Sequence, residues 1–251
     1  MIQKEKDRKA ATVWLFGLHA VRDALQNPAR TKLRLIVTKN AADRLSDAIA
    51  ASGVTPEIAD ARKFPAPLDP ASVHQGAALE VKPLEWGKPA DLFDAEGPQT
   101  VLLLDRVTDP HNVGAILRSA EVFGAAAVIA PARHSARETG AVAKSASGAL
   151  ERQPYILVKN LSAAMKELKD LGFYVIGLAG EADMALETAV ENGGERIALV
   201  LGAEGPGLRE KTRETCDTVA KITFHGDFGS LNVSNAAAVA LYATGRQRSN
   251  S

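Results

Sequence analysis

From Thr100 onwards, short apolar runs alternate with segments that have the spacing of amphipathic helices. The first run, Val101–Leu104, contains no polar residue, which is typical of a strand buried on both faces of a sheet. The next segment, 112–123, repeats its apolar residues at helical spacing. This alternation predicts an α/β domain with a largely parallel, doubly wound sheet. Further strands are predicted at 126–130, 154–158, 173–178, 197–201 and 219–224, and a last helix at 232–246.

The residues before this alternation predict a separate, smaller α/β unit. Its strands are predicted at 13–16, 33–38, 54–58 and 77–81, and its helices at 18–25 and 41–51. Residues 85–98 are rich in Pro, Gly and Asp and have no strong periodicity, so they are interpreted as a linker. We therefore predict a basic tail (1–10), an N-terminal domain (11–84), the linker (85–98) and a C-terminal domain (99–251).

Composition limits the class of protein. Hydrophobic residues make up 46% of the chain and charged residues 24%, as in a soluble globular protein. Lys plus Arg and Asp plus Glu both number 30, so the net charge gives no argument for nucleic acid. The segment up to Lys39 is nevertheless net positive, which suits either a polyanion or an ordinary solvated surface.

The chain has no sign of a membrane or secreted protein. Its apolar runs are too short to span a bilayer, and no signal-peptide core follows the charged first nine residues. The single cysteine, Cys216, excludes an internal disulfide and fits a reducing compartment. We therefore expect a cytoplasmic protein with no membrane partner.

Three loops with glycines follow predicted strands and carry the best candidates for a site. Ligands bind at the carboxyl ends of strands in open α/β sheets, and glycine lets the backbone approach them closely. The loops are residues 105–114, 202–208 and 225–232. The polar residues in or just after them are Asn112, Arg118, Glu204, Ser230 and Asn232.

Structural roles are an alternative for each of these side chains. Asn112, Ser230 and Asn232 could be helix caps, and Arg118 could form a surface ion pair with Glu121. Several other kinds of site have little support. The chain has no phosphate-binding loop ending in Gly-Lys-Ser/Thr, no Gly-x-Gly-x-x-Gly, no Gly-x-Ser-x-Gly and no zinc spacing, so no metal is expected.

The three loops, in this order, resemble three motifs of the SpoU/TrmH-like branch of the SPOUT RNA methyltransferases. The matching segments are 109–118, 199–208 and 222–234. Residues 16–21 and 74–76 are similar to the substrate-binding domain of bacterial members that modify 23S ribosomal RNA, so the resemblance covers nearly the whole chain. One departure is Thr223, where the family commonly has proline.

The resemblance implies methylation of a ribose 2′-hydroxyl of RNA with S-adenosylmethionine as cofactor, on a guanosine of 23S ribosomal RNA. It also implies a trefoil-knot (SPOUT) C-terminal domain, an L30e-like N-terminal domain, and a homodimer whose active sites use residues of both chains. The cofactor-binding residues implied are Leu178, Ala179, Gly180, Leu201, Gly202, Gly205, Ile222 and Leu231. The catalytic residues implied are Arg118, Asn112, Glu204, Ser230 and Asn232.

Two other functions stay open at this point. The first is the same reaction on transfer RNA, which the separate N-terminal domain argues against. The second is a non-catalytic RNA-binding or assembly factor, which the intact polar set argues against. For Arg118 we favour a role in holding the RNA phosphate and polarising the hydroxyl, because a guanidinium keeps its proton too strongly to act as a base.

Overall fold

The computed structural model of the protein describes residues 12–93, 97–223 and 231–248. The strands in chain order are β1 Val13–Phe16, β2 Lys32–Val37, β3 Pro56–Ile58, β4 Ala77–Val81, β5 Gln99–Asp105, β6 Ala127–Pro131, β7 Tyr155–Val158, β8 Tyr174–Leu178, β9 Met184–Ala185, β10 Arg196–Gly202 and β11 Thr218–Lys221. The helices are α1 Leu18–Gln26, α2 Lys39–Arg44, α3 Ser46–Ser52, α4 Pro89–Leu92, α5 Pro110–Val122, α6 Gly140–Ala146, α7 Leu161–Asp170, α8 Leu186–Gly193, α9 Glu210–Thr215 and α10 Val233–Arg248.

These elements form two compact units. The first unit comprises the described residues up to Glu85 together with Glu138–Glu151, and the second comprises residues 86–137 and those from Arg152 onwards. Residues 138–151 thus belong to the first unit, although they lie within the range predicted for the C-terminal domain. The predicted domain limits themselves remain predictions.

The first unit is built on a four-stranded mixed sheet with the order β1-β4-β2-β3. Strand β4 runs antiparallel to both of its neighbours, and β2 and β3 are parallel. Helix α6 packs against β1, and this approach requires a glycine at the start of α6. A Cβ atom on Gly140 would lie 2.4 Å from the Trp14 carbonyl oxygen, so a side chain there would push the helix off the strand.

A buried ionic cluster holds residues 138–151 in this unit. The Arg30 side chain is 0% exposed and donates through Nε and Nη2 to Glu151 at 3.0 and 2.7 Å. Its Nη1 donates to Glu138 at 2.5 Å and to the Lys82 carbonyl oxygen at 2.8 Å. Burial raises the pKa of Glu138 above its ordinary value, against the opposing effect of the nearby guanidinium. A buried charge network of this kind specifies which segments must pack together, because each member needs its partners.

The second unit contains a seven-stranded parallel sheet with the order β7-β6-β5-β10-β8-β11-β9. Strands β5, β6 and β10 are buried along almost their whole length, as their continuous apolar runs predict. On one face, α7 contributes its apolar stripe to the core together with two aromatic rings in edge-to-face contact, Phe93 and Phe173. Because β5, β10 and β8 are neighbours, the loops at their carboxyl ends meet at one edge of the sheet.

The structure differs from the sequence-based elements in several places. The predicted helix 41–51 is two short helices, α2 and α3, separated at Leu45. The last predicted strand, 219–224, ends at Lys221, and its last predicted residue lies outside the described residues. Residues 74–76, which carry part of the resemblance, form a turn directly before β4, with left-handed backbone at Gln75 and Gly76. The trefoil-knot prediction depends on the chain path between Thr223 and Leu231, which lies outside the described residues.

No helix in the described ranges is both long enough and apolar enough to cross a membrane.

Candidate active site

A cavity of about 640 Å³ opens at the carboxyl edge of the sheet in the second unit. Its walls come from the ends of β8 and β10, from the loop after β10, from Ile222 and from the start of α10. All the residues that the sequence implies for cofactor binding line this one cavity: Leu178, Ala179, Gly180, Leu201, Gly202, Gly205, Ile222 and Leu231. Their role in binding a cofactor stays a prediction.

The loop after β10 folds back tightly over the end of its own strand. The Gly207 N–H donates to the Ala203 carbonyl oxygen at 2.9 Å, and Gly205 and Gly207 have positive φ angles of 83° and 66°. A Cβ atom on Gly202 would lie 2.2 Å from the Gly207 carbonyl carbon. Only glycine at position 202 therefore allows this loop shape, which forms one wall of the cavity.

Three predicted catalytic side chains, from three different loops, join in one hydrogen-bonded cluster. The Asn112 amide donates to Glu204 Oε1 at 3.1 Å, and the Asn232 amide donates to the same oxygen at 2.5 Å. The Asn232 amide also reaches Asn112 Oδ1 at 3.0 Å. Because Glu204 and Asn232 line the cavity, the cluster lies at its edge.

The cluster settles the capping alternatives for both asparagines. Asn232 does cap α10, because its Oδ1 accepts from the Ser234 N–H at 2.9 Å, but its amide group is used in the cluster at the same time. Asn112 does not cap α5, because Asp109 does so by accepting from the His111 N–H at 2.9 Å. The capping alternative is therefore confirmed for Asn232 and wrong for Asn112.

Arg118 lies apart from this cluster. It follows Asn112 by six residues on α5, a rise of roughly 9 Å, and its side chain is exposed. The alternative of an ion pair with Glu121 is wrong, because the Glu121 carboxylate is paired with Arg152. No described residue forms a hydrogen bond or ion pair with the Arg118 guanidinium. Ser230, the remaining predicted catalytic residue, lies outside the described residues.

Two ion pairs that the sequence analysis did not identify shape the cavity. Asp105 is fully buried at the end of β5 and accepts from the Arg209 N–H at 3.0 Å and from Arg209 Nε at 2.6 Å. This links the end of the loop after β10 to the neighbouring strand. The signal for this pair in the sequence is an acidic residue directly after a continuous apolar run. A carboxylate at such a position is buried and needs a partner.

The second ion pair places a stable negative charge on the cavity wall. Glu181 lines the cavity, and a hydrogen bond from Arg213 holds the pKa of its carboxyl below the ordinary value. The cavity therefore presents backbone groups, apolar side chains and two carboxylates, Glu181 and Glu204. Within the described residues, no group of three or more His, Cys, Asp or Glu side chains is arranged to hold a metal ion.

Both parts of the chain match known protein families. Residues 99–242 match the SpoU rRNA Methylase family, and residues 14–87 match the RNA 2′-O ribose methyltransferase substrate-binding domain. The chain is 44% identical over 244 residues to the 23S rRNA (guanosine-2′-O-)-methyltransferase RlmB of Ralstonia nicotianae, which covers 94% of this chain and 96% of that protein. It is 39% identical over 242 residues to the protein of the same name from Escherichia coli K12, with 94% and 98% covered.

A solved structure shows the same fold. The SpoU methyltransferase AviRb from Streptomyces viridochromogenes, in complex with the cofactor AdoMet, superposes with a TM-score of 0.82. The superposition covers 99% of this chain and 95% of that one at 20% sequence identity, which is evidence for the fold alone. Together with the family matches over both parts of the sequence, these similarities show that the chain belongs to the SpoU rRNA methylase family and carries its substrate-binding domain at the N-terminal end.

Proposed function

We propose that this protein transfers a methyl group from S-adenosylmethionine to the ribose 2′-hydroxyl of a guanosine in 23S ribosomal RNA. The observation that carries the proposal is the hydrogen-bonded cluster of Asn112, Glu204 and Asn232 at the edge of a cofactor-sized cavity. The two relatives named as 23S rRNA guanosine-2′-O-methyltransferases support the substrate, because they match over nearly their whole length.

The cavity fits the cofactor in size and in chemistry. Its volume of about 640 Å³ lies within the roughly 300–1,000 Å³ of typical cofactor sites. Leu178, Leu201, Ile222 and Leu231 supply apolar surface, and the glycine-containing loops supply backbone groups. The carboxylates of Glu181 and Glu204 suit a ligand with positive charge. When bound, S-adenosylmethionine supplies a methyl group already activated on its sulfonium sulfur, so the protein needs no covalent intermediate.

Glu204 is proposed to receive the proton of the ribose hydroxyl. Its Oε1 accepts from both amides and, at 3.4 Å, from the Val233 N–H at the start of α10. No described residue donates to its Oε2, which is therefore available to a hydroxyl of the substrate. The amides and the helix N-terminus hold the carboxylate in place.

Arg118 is proposed to bind the RNA phosphate next to the target ribose. Its guanidinium is exposed and has no ion-pair partner among the described residues, so it is available to a substrate. A planar fork with several donors suits a phosphate, whereas a guanidinium has no free lone pair with which to accept the proton of the hydroxyl. Ser230 remains a proposed member of the same site.

We also propose a homodimer that forms through α5 and α10. These helices pack together and carry large exposed apolar side chains, including Val122 at 72% and Tyr242 at 56% exposure. The rings of Phe123 and Tyr242 are in edge-to-face contact at 6.3 Å, which extends this surface across both helices. A contiguous exposed apolar patch is typical of a protein–protein interface. Because Arg118 lies on α5, the interface would bring it to the site of the partner chain.

Two further features of the family belong to this proposal. We propose that the C-terminal unit contains the deep trefoil knot that the resemblance implies. A cytoplasmic location is proposed because the substrate is ribosomal RNA and because the single cysteine, Cys216, excludes an internal disulfide, which fits a reducing compartment.

Analysis of the methylated nucleoside tests the chemistry. Ribosomal RNA is incubated with the protein and S-adenosylmethionine, digested to nucleosides and examined by mass spectrometry. The proposal predicts 2′-O-methylguanosine, and its absence from a parallel reaction with Glu204→Gln. A methyl group on the base instead of the ribose would contradict the proposal, because the cluster has been assigned to a hydroxyl.

A further inference from the structure

Five exposed basic residues lie along one part of the carboxyl edge of the sheet, beside the cavity but not in it. They follow three successive strands, β5, β6 and β7, and we call them the basic rim: Arg106, Arg133, His134, Arg137 and Lys159. None of them belongs to the residues implied for cofactor binding or catalysis. All of them lie in the second unit.

The sheet order makes the rim continuous with the active site. Strands β7, β6 and β5 are direct neighbours, and β10, whose loop forms a cavity wall, pairs with the other side of β5. Neighbouring strands lie about 4.8 Å apart, so the rim runs from the edge of the cavity over roughly 10–15 Å. This length matches a few phosphates of one RNA strand.

Hydrogen bonds between the rim loops fix their relative positions. In the loop after β6, the Ala132 N–H donates to the Val158 carbonyl oxygen at 2.8 Å, directly before Lys159. The Ala136 N–H of the same loop donates to the Val107 carbonyl oxygen at 3.3 Å, directly after Arg106. The Tyr155 hydroxyl donates to the Ala136 carbonyl oxygen at 2.5 Å. The basic side chains therefore belong to loops whose backbones are held in fixed relative positions.

The backbone of two rim residues is held in a conformation that L-residues avoid. Arg106 has a φ angle of 64° and His134 one of 62°, both in the left-handed region. Such strain persists only where the surrounding structure enforces it, and it concentrates at functional sites. Arginine, unlike glycine or asparagine, adopts this conformation only rarely, so the strain is clearest at Arg106.

The charge of the rim is not neutralised within the described residues. No described acid forms an ion pair with Arg106, Arg133, Arg137 or Lys159. The acidic residue in the loop after β5 is Asp109, whose Oδ1 already accepts from the His111 N–H. The whole chain has a formal net charge of zero, so the rim is a local concentration of positive charge rather than part of a basic protein.

We infer that the basic rim binds the sugar–phosphate backbone of the substrate RNA next to the target nucleotide and sets the register in which that nucleotide enters the site. The inference rests on the proposed function, because it assigns this rim to the same substrate. Phosphate contacts of this kind position a nucleic acid without reading its sequence. The binding energy of the rim then appears in the affinity for RNA, whereas the cluster around Glu204 determines the turnover.

The salt dependence of RNA binding tests the inference. The dissociation constant for a ribosomal RNA fragment is measured by fluorescence anisotropy across a series of salt concentrations, in the absence of turnover. Removal of one phosphate contact lowers the slope of log K against log salt by about one and weakens binding to all sequences alike. We expect the double variant Arg133→Ala/Arg137→Ala to lower the slope by about two, and Lys159→Ala to lower it by about one.

Matched measurements separate this result from misfolding and from a failure of the proposed function. Lys166→Ala removes an equal charge from an exposed position on α7 and should leave the slope unchanged. Affinity for S-adenosylmethionine should be that of the wild type in every variant, which also verifies the fold. With RNA as the varied substrate, KM should rise in the rim variants while kcat at saturation stays the same.

Wild-type slopes in both the double variant and Lys159→Ala would overturn the inference, even if the protein methylates RNA. A wild-type protein that binds S-adenosylmethionine but methylates no RNA would instead overturn the proposed function. In that case the slopes still decide whether the rim binds RNA.

Discussion

Glu204 combines a structural and a chemical role on one carboxylate. One oxygen takes all the donors that the described residues offer to this carboxylate, from Asn112, Asn232 and the first turn of α10. The other oxygen has no donor among the described residues. In this arrangement, one oxygen holds the side chain in position and the other is free to receive a proton. Substitution of Glu204 can therefore test the second role while the first is retained.

Glu204→Gln tests the chemical role. The glutamine retains one oxygen for the amide donors, but it loses the charge and the basicity needed to receive a proton. We expect kcat for RNA methylation to fall by about 10²–10⁴, the usual contribution of general base catalysis. Affinity for S-adenosylmethionine, measured by calorimetry, should change by less than about tenfold, or 1.4 kcal/mol.

The matched control for this change is Glu187→Gln, at an exposed position on α8. It makes the same chemical change away from the cavity and should retain wild-type kcat. Full turnover by Glu204→Gln would show that the proton leaves by another route.

Gly202→Ala tests the shape of the cavity wall. The added Cβ would lie 2.2 Å from the Gly207 carbonyl carbon, so the loop after β10 must move. Overpacking of this kind costs about 1–3 kcal/mol, which corresponds to roughly 5- to 150-fold weaker cofactor binding if the strain appears in the bound state. Calorimetric titration with S-adenosylmethionine measures the effect.

Gly245→Ala serves as the comparison, because a Cβ there meets no heavy atom within 4 Å. It should bind the cofactor as the wild type does. Equal affinities for the two variants would mean that the loop after β10 does not form the cofactor site.

At the scale of elements, the buried ionic cluster around Arg30 explains the composition of the first unit. Arg30 and Glu151 are 121 positions apart in sequence, yet they form two hydrogen bonds in the interior. The cluster connects β2 and β4 of the first sheet with the segment that contains α6. The segment is therefore specified by charge pairing as well as by apolar packing.

Removal of the Arg30 side chain should lower the free energy of unfolding of this unit. Arg30→Ala leaves Glu138 and Glu151 buried without their cation, and breaking a buried pair in this way costs about 3–5 kcal/mol. Denaturant unfolding measures the change. Arg34→Ala, which removes an exposed partner of Glu57, should have little effect, because surface ion pairs contribute little.

The pH dependence of stability should reveal Glu138. Its pKa is raised in the folded protein, so the folded state binds this proton more tightly than the unfolded chain does. The free energy of unfolding therefore falls as the pH rises from the ordinary value of 4.5 through the raised pKa. Glu138→Gln should remove this component, so the difference between wild type and variant should decrease with rising pH. A constant difference between pH 4 and 8, as measured by denaturant titration, would contradict the assignment.

Local patterns were sufficient to predict the elements that bury a continuous or periodic apolar surface. Strands β1 and β4 were predicted with their observed limits, and the strands of the parallel sheet to within a few residues, except the two-residue strand β9, which was not predicted. The division of one helix at Leu45 and the short helices α4, α6, α8 and α9 were not predicted, because their apolar spacing is weak. The place of residues 138–151 could not be predicted, since it depends on ion pairs with distant residues.

The same distinction applies to the candidate site. The order of the motifs along the chain was sufficient to predict that the residues of the cavity wall and of the cluster lie close together. The physical reason is that neighbouring parallel strands bring the loops that follow them together. The pairing of Asp105 with Arg209 depends on side-chain packing in three dimensions and has only a weak signal in sequence. The position of Arg118, apart from the cluster, was also not foreseen.

At the scale of the whole molecule, the separation of Arg118 from the cluster has a direct consequence. If each active site combines Arg118 of one chain with Glu204 of its partner, two inactive variants can complement each other. We expect Arg118→Ala and Glu204→Gln to be inactive alone. After mixing and subunit exchange, random pairing gives half heterodimers, each with one intact site, so activity should recover to about a quarter of the wild type.

A control mixture establishes that exchange, not concentration, causes the recovery. Glu204→Gln mixed with a second cluster variant, Asn232→Ala, places both lesions in the same half of the site and should recover no activity. Absence of recovery in the first mixture, with exchange verified by light scattering of tagged chains, would place Arg118 and Glu204 in one chain.

The most direct measurement is transfer of a labelled methyl group from S-adenosylmethionine to 23S ribosomal RNA and to bulk transfer RNA in parallel, with Arg118→Ala as the control. We expect label in 23S RNA, none in transfer RNA, and loss of the label with the variant. Label only in transfer RNA would contradict the substrate, and no label in either RNA from a protein that binds the cofactor would contradict the proposed reaction.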